Sequence, residues 1–145
     1  MKLDDILKLD NQVCFPLYAA SRLVIRMYQP LLEKLDITYP QYLILLVLWE
    51  NDKVLVNEIG KKLLLETNTL TPLLKRMEAK GILRRKRSSE DERKVFITLT
   101  DSGRNMKDEA LCIPGELIKG IPGSYSIEKL EQLREDLKEL IMLLK

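Results

Sequence analysis

The chain of 145 residues contains no histidine, which removes the usual general base at neutral pH and the commonest transition-metal ligand. Two cysteines are too few to close a structural zinc site, so catalytic triads, metal sensing and metal cofactors are all disfavoured. No phosphate-cradling glycine loop and no internal repeat occur. No apolar run is long enough to span a membrane, and Met1-Lys2-Leu3-Asp4-Asp5 lacks the pattern of a secretory leader. The expectation is a cytoplasmic protein without cofactor, with its thiols reduced. With 46% apolar and 32% charged residues the composition is that of one folded domain over 1–145.

Residues 66–81 organise what is present. Leu70, Leu73, Leu74 and Met77 fall at helical spacing and form an inward stripe. Thr67 or Asn68 is placed to cap the first turn, and Gly81 stands where a helix end requires positive φ. The outer face carries Thr67, Asn68, Thr71, Lys75 and Arg76, with Thr69 and Pro72 on the same turns. Short polar groups there can reach base edges and the cations can meet phosphates. After Gly81 the period changes to two: 82–87 and 93–99 are predicted strands, joined by Ser88-Ser89-Glu90-Asp91-Glu92, with Val95, Ile97 and Leu99 on one face. Residues 75–94 hold nine Lys/Arg and four Asp/Glu, net +5, leaving −3 for the rest of a +2 chain. A helix followed by a basic hairpin reads as a winged helix-turn-helix on DNA. The plainer reading is a solvated helix face with an ordinary charged hairpin.

Upstream, Leu3, Ile6, Leu7 and Leu9 make an apolar lead-in to a long predicted helix over 13–35. Pro16 fits only its first turn, which puts Cys14 at or beside the N-terminus. Thr38 with Gln41 forms a capping box around Pro40, opening a helix to Trp49 or Glu50 that is apolar nearly all round. Asn51-Asp52-Lys53 is a turn, and 56–63 is the first helix of the helix-turn-helix. Thr100 caps a helix that ends near Ile113-Pro114-Gly115, and Ser126 starts a last one carrying Ile127, Leu130, Leu133, Leu137, Leu140, Ile141 and Leu144. The terminal helices carry more apolar surface than one copy can hide. A homodimer on a palindromic operator would use it. A terminal helix packed on its own core is the alternative. The fold class is thus mainly α (α+β): a winged helix-turn-helix DNA-binding region at 38–100, with helical dimerisation regions at 1–37 and 101–145.

Several segments carry a family resemblance. They are Leu9-Asp10-Asn11-Gln12-Val13-Cys14-Phe15, Leu17-Tyr18-Ala19-Ala20-Ser21-Arg22 and Ile37-Thr38-Tyr39-Pro40-Gln41-Tyr42, together with 69–78 and Asp91-Glu92-Arg93. They resemble the MarR family, specifically its organic-hydroperoxide-sensing repressors, over nearly the whole chain and most weakly after Pro114. The resemblance implies that Cys14 is a peroxide-reactive thiol and that Tyr28 and Tyr39 hydrogen-bond it. Tyr18, in a matching segment, joins this candidate set. It also implies that Arg93 of the wing enters a minor groove, oriented by Asp91; Arg87, of the basic strand, is a further DNA-binding candidate. Two-cysteine relatives carry a second thiol near the position of Lys119. Cys112 precedes that position and is expected to be a packed thiol, so a low-molecular-weight thiol would be the resolver. Departures are Pro16 beside Cys14, and Glu66-Thr67-Asn68 where the family usually has Asp-Ser-Gly. The second of these bears on operator sequence.

Chemistry fits the resemblance. A thiolate is the nucleophile, a helix N-terminus presents unpaired N–H groups that favour an anion, and phenols add donors. Cys14 and Tyr28 lie fourteen residues apart on one predicted helix, roughly 21 Å at 1.5 Å per residue. They cannot meet within one chain, so Tyr28 would serve a partner's cysteine across a dimer interface. The expected function is a homodimeric repressor that senses an organic hydroperoxide through Cys14. Oxidation to sulfenate, then capping or further oxidation, would place bulk and altered charge there and release the operator. A regulator released by a small aromatic ligand, a broader redox or virulence regulator, and a thiol peroxidase are the competing readings. A surface ion pair of little energetic weight is the alternative for Asp91 and Arg93.

Overall fold

The computed structural model describes residues 3–145; Met1 and Lys2, part of the stretch read for a leader, lie outside the described residues. The chain divides into two compact units, one ending at Leu111 and the other running from Cys112 to Lys145. That division falls inside the region 101–145 that the sequence groups together.

The first unit opens with the short helix α1 (Leu3–Ile6) and a tight turn at Leu9–Asn11. α2 (Cys14–Glu33) begins and ends inside the range of 13–35 read from periodicity. Pro30, which that reading passed over, sits in its last turn. A proline there has no N–H for the carbonyl of Arg26, so the helix forgoes that bond one turn before it ends. The helix closes through Asp36, a non-glycine residue at φ 54°, with Ile37 N donating to Leu32 O at 3.2 Å. Left-handed backbone at an ordinary residue costs about 1–2 kcal/mol, and Asp is among the few that adopt it readily.

α3 (Tyr39–Glu50) follows at once. Thr38 N donates to Gln41 Oε1 at 3.0 Å, the reciprocal half of the anticipated capping box, and Pro40 lies in the first turn. Tyr42, Ile44, Leu45, Val47 and Leu48 are all buried, so this helix is the core of the unit. Trp49 Nε1 donates to Gly103 O at 2.9 Å and ties α3 to α6 (Asp101–Ala110). α6 thus belongs structurally to the first unit, with Gly103, Met106 and Ala110 buried.

The reading head is built from β1 (Val54–Leu55), α4 (Val56–Leu63), α5 (Thr67–Ala79), β2 (Leu83–Arg87) and β3 (Val95–Leu99). The sheet is antiparallel in the order β1-β3-β2, with Val54 opposite Ile97 and Arg85 opposite the same residue from the other side. β1 is too short for a period to reveal it in sequence. The turn between α4 and α5 uses Leu64 at φ 54°, and Leu65 N donates to Gly60 O at 3.0 Å. Glycine is required at position 60, because an added Cβ would lie 2.7 Å from Leu65 O.

Two sequence expectations need correction here. α5 is capped by Glu66 in extended backbone without a side-chain bond, so neither Thr67 nor Asn68 caps it. Both belong to the first helical turn, and their exposed side chains project outward. The helix beginning at Asp101 ends at Ala110, and Ile113-Pro114-Gly115 instead opens α7 (Ile113–Gly120). Proline is favourable there because first-turn N–H groups have no partner to lose. The C-terminus of α5 is as expected: Gly81 has φ 71°, its N–H donates to Glu78 O at 2.9 Å, and Ile82 N donates to Met77 O at 3.0 Å.

The second unit holds α7 and α8 (Ile127–Leu144), the latter capped by Ser126, whose hydroxyl accepts from Lys129 N at 3.3 Å. Among the described residues no helix is long and apolar enough to cross a membrane.

Gly60→Ala should lower the stability of the folded protein by about 1–3 kcal/mol, the usual cost of overpacking. Urea unfolding would measure it. An unchanged midpoint would show that the 64–66 turn yields freely to the added methyl.

Candidate nucleic-acid interface and thiol site

Leu70, Leu73, Leu74 and Met77 are buried, which turns the opposite face of α5 outward. Thr67, Thr71 and Lys75, spaced by four, form one ridge of that face. They line a cleft of about 350 Å³ shared with Asn57 of α4 and with Arg85, Arg87, Arg93 and Lys94 of the hairpin. No acidic side chain is among its lining residues. Asn68, Pro72 and Arg76 form the neighbouring ridge and are exposed, as is Thr69. The hydroxyl of Thr71 donates to Thr67 O at 2.8 Å, so it offers only its lone pairs and methyl group outward.

The hairpin loop is fixed locally. Ser88 N donates to Lys94 O at 2.8 Å, and Lys94 N to Asp91 O at 2.9 Å. Asp91 Oδ1 accepts from Arg93 N at 3.1 Å and from Arg93 Nε at 3.4 Å, while the Arg93 side chain stays almost wholly exposed. Arg85, Lys94 and Asn57 were not singled out in sequence. A signal for Arg85 was available: alternation from Leu83 places 85 and 87 on the same face of β2.

Cys14 is the first residue of α2 and is exposed. The two residues that mark the motif before it are used structurally. Asn11 Nδ2 donates to Asp5 O at 2.6 Å and Gln12 Nε2 to Ile6 O at 2.5 Å, lacing the lead-in to itself where the chain enters α2. Tyr28, Tyr39 and Tyr42 converge, with ring centroids 4.8 Å apart for Tyr28–Tyr39, 5.8 Å for Tyr28–Tyr42 and 6.4 Å for Tyr39–Tyr42. Tyr42, buried, is the member the sequence reading left out. Tyr18 is elsewhere, exposed, with the Arg22 guanidinium 5.1 Å from its ring. Cys112 is exposed rather than packed, which corrects the expectation. It is the N-cap of α7, in the connection between the buried Ala110 and Ile113.

Burial pushes the Tyr28 phenol up to about 12, with the neighbouring Tyr39 and Tyr42 adding to it; Tyr39 and Tyr42 are also raised by burial. All three hydroxyls therefore keep their protons at neutral pH and remain hydrogen-bond donors.

Residues 26–110 match the family described as transcriptional regulator SarA/Rot. The chain is 51% identical to the organic hydroperoxide resistance transcriptional regulator of Bacillus subtilis (strain 168), over 94% of this chain and 92% of that one. It is 37% identical to the HTH-type transcriptional regulator SarZ of Staphylococcus haemolyticus (strain JCSC1435), over 92% and 89%. Among solved structures, AbfR of Staphylococcus epidermidis is similar in three states. Overoxidised and reduced AbfR bound to DNA are each 38% identical with a TM-score of 0.74, covering 96% and 97% of this chain and 99% of theirs. Disulfide-formed AbfR is 36% identical with a TM-score of 0.66, covering 97% and 94%. The fold and its cationic face are those of a MarR-type, winged-helix, DNA-binding transcriptional regulator. Within that class the chain belongs to the family of organic hydroperoxide resistance regulators.

Because the folded value for Tyr28 lies above its unfolded value of 10.0, ionisation favours unfolding, and stability should fall as pH rises from 10 towards 12. Alkaline titration of phenolate absorbance should show one tyrosine titrating late in wild type and lost in Tyr28→Phe. A wild-type titration with every phenol near 10 would contradict the buried cluster.

Proposed function

We propose that this chain is a cytoplasmic, homodimeric repressor that holds a palindromic operator while Cys14 is reduced and releases it when Cys14 is oxidised by an organic hydroperoxide. The observation that carries the reading is the placement of Cys14 and the phenols. An exposed thiol opens α2, and a cluster of three protonated phenols stands around Tyr28, roughly 21 Å further along the same helix. Thiol and donors then meet only between copies. Apolar exposure supports the dimer: α2 buries only Leu32 and α8 buries nothing, while Phe15, Leu17, Leu23, Val24, Ile25, Leu133, Leu140 and Ile141 are all exposed in the single chain. Surfaces of that extent ordinarily mark an interface.

On DNA, α5 enters the major groove and the hairpin flanks it. Thr67, Asn68, Thr69, Thr71 and Pro72 face base edges, and Lys75, Arg76 and Arg87 meet phosphates. Arg93, held at its main-chain amide by Asp91, reaches into the minor groove.

The chemistry is stoichiometric rather than catalytic. The Cys14 thiolate attacks one peroxide oxygen, the O–O bond breaks, an alcohol leaves after taking a proton, and sulfur becomes a sulfenic acid. A low-molecular-weight thiol then displaces water and leaves a mixed disulfide on Cys14. AbfR has been captured on DNA both reduced and overoxidised. That supports assigning release to the bulk of the thiol adduct rather than to oxygen on sulfur alone. Cys112, the N-cap residue of a different helix, is not required in this scheme.

A second reading has its own observation. A groove of about 670 Å³ runs past Tyr39 and Pro40, lined by Arg22, Arg26 and Lys80 and by the carboxylates of Glu33 and Asp36, and has room for a small aromatic inducer.

Fluorescence anisotropy with operator DNA from the adjacent promoter separates the readings. Cumene hydroperoxide with a low-molecular-weight thiol should weaken wild-type binding at least tenfold, about 1.4 kcal/mol, and leave Cys14→Ser unchanged. Release of both proteins would remove Cys14 from the mechanism.

A further inference from the structure

A polar link joins the recognition helix to the hairpin. Glu78, in the last turn of α5, accepts from Arg85 N through Oε1 and from Arg85 Nε through Oε2, both at 2.9 Å. β2 is the edge strand of the sheet, so the Glu78 carboxylate also caps a main-chain N–H on the open edge. Both side chains are about a third exposed. An isolated pair of that exposure contributes little to stability, so its geometry is the more informative feature.

A guanidinium carries five N–H donors, and the Nε contact uses one of them. The rest of Arg85 lines the cationic cleft between α5 and the hairpin, with Lys75, Arg87, Arg93 and Lys94. It also lines a second cleft of about 330 Å³ with Lys75, Arg87 and Val95. Neither lining includes an acidic residue. The Arg85 amide and side chain hold the Glu78 carboxyl below its ordinary value, so the pair stays intact at neutral pH.

We propose that Arg85 is a further phosphate-binding residue of the DNA interface and that Glu78 is its positioning residue, fixing one edge of the guanidinium so that the other edge faces a DNA phosphate. The phosphodiester matches what the site offers: a planar guanidinium with one edge fixed, among further lysine and arginine cations, in a cleft without competing acids. The same carboxylate grips main chain and side chain of β2 together, so it also sets the angle between hairpin and recognition helix. The assignment rests on the proposal that this face meets DNA.

Salt dependence of operator binding tests it, since each neutralised phosphate contributes about 0.9 to the log–log slope. Arg85→Met should lower the slope by about one unit and weaken binding, as should Arg87→Met, which removes a cation already assigned to a phosphate. Glu78→Gln keeps the cation, so it should raise Kd by about threefold to tenfold with the slope unchanged. Arg85→Lys should keep the slope and bind with intermediate affinity, because an ammonium cannot serve the carboxylate and the phosphate with fixed geometry. Thermal melts of each variant establish folding, and if Glu78→Gln does not fold, Arg85→Lys decides the positioning role. An Arg85→Met slope equal to wild type, with Arg87→Met reduced, would overturn the Arg85 assignment alone. Unchanged slopes in both would overturn the DNA face itself. Wild-type affinity in Arg85→Lys would overturn the role of Glu78.

Discussion

A rigid helix of 20 residues fixes the separation of the thiol from the phenols, and much else in the molecule follows from it. Cys14 opens α2 and Tyr28 lies near its far end, so no rotation of side chains brings them together within one chain. If the phenols serve a thiol, it belongs to a second copy, and the sensing site then exists only in the dimer. The exposed apolar residues of α2 would be the surface on which that dimer forms. An adduct on sulfur would then sit between two chains, where added volume has to be accommodated by moving one against the other.

The route from that site to the DNA face is short. Tyr39 stands one residue after the cap of α3, just beyond the corner at Asp36. The Asp36 carboxylate lies 3.0 Å from Lys80 Nζ, and Lys80 is the C-cap residue of α5. The segment that carries Tyr39 is therefore tied to the end of the recognition helix. At that end the Gly81 turn leads into β2, which Glu78 holds through Arg85. Phenol, corner, helix and hairpin form one connected series of contacts within the first unit.

How much of this could be read in the sequence depended on whether a residue acts locally. Thr38, Pro40 and Gln41 announce the start of α3 because a capping box is complete within four residues. Gly81 announces the end of α5 for the same reason. Val95, Ile97 and Leu99 announce a half-buried strand. The reading faltered where tertiary packing decides. Nothing local shows that Glu66 rather than Thr67 caps α5, or that Pro114 opens a helix instead of following one. The two residues of β1 carry no period at all. In the thiol site Cys14, Tyr28 and Tyr39 came from a motif, whereas Tyr42 hid among the core residues of α3. Arg85 hid in a run of four basic residues; alternation from Leu83 sets it and Arg87 apart from Arg84 and Lys86, and only its bond to Glu78 sets it apart from Arg87.

The most direct test of the account uses two kinds of heterodimer, each carrying Cys14→Ser and the pair Tyr28→Phe with Tyr39→Phe. In one kind the substitutions lie on opposite chains; in the other they share a chain, opposite an unaltered one. The measured quantity is the rate at which the remaining Cys14 reacts with cumene hydroperoxide. An intersubunit site predicts a near wild-type rate when the substitutions are on opposite chains, because the intact thiol then faces intact phenols, and a slow rate when they share a chain. The reverse order would place thiol and phenols in the same chain and contradict the account.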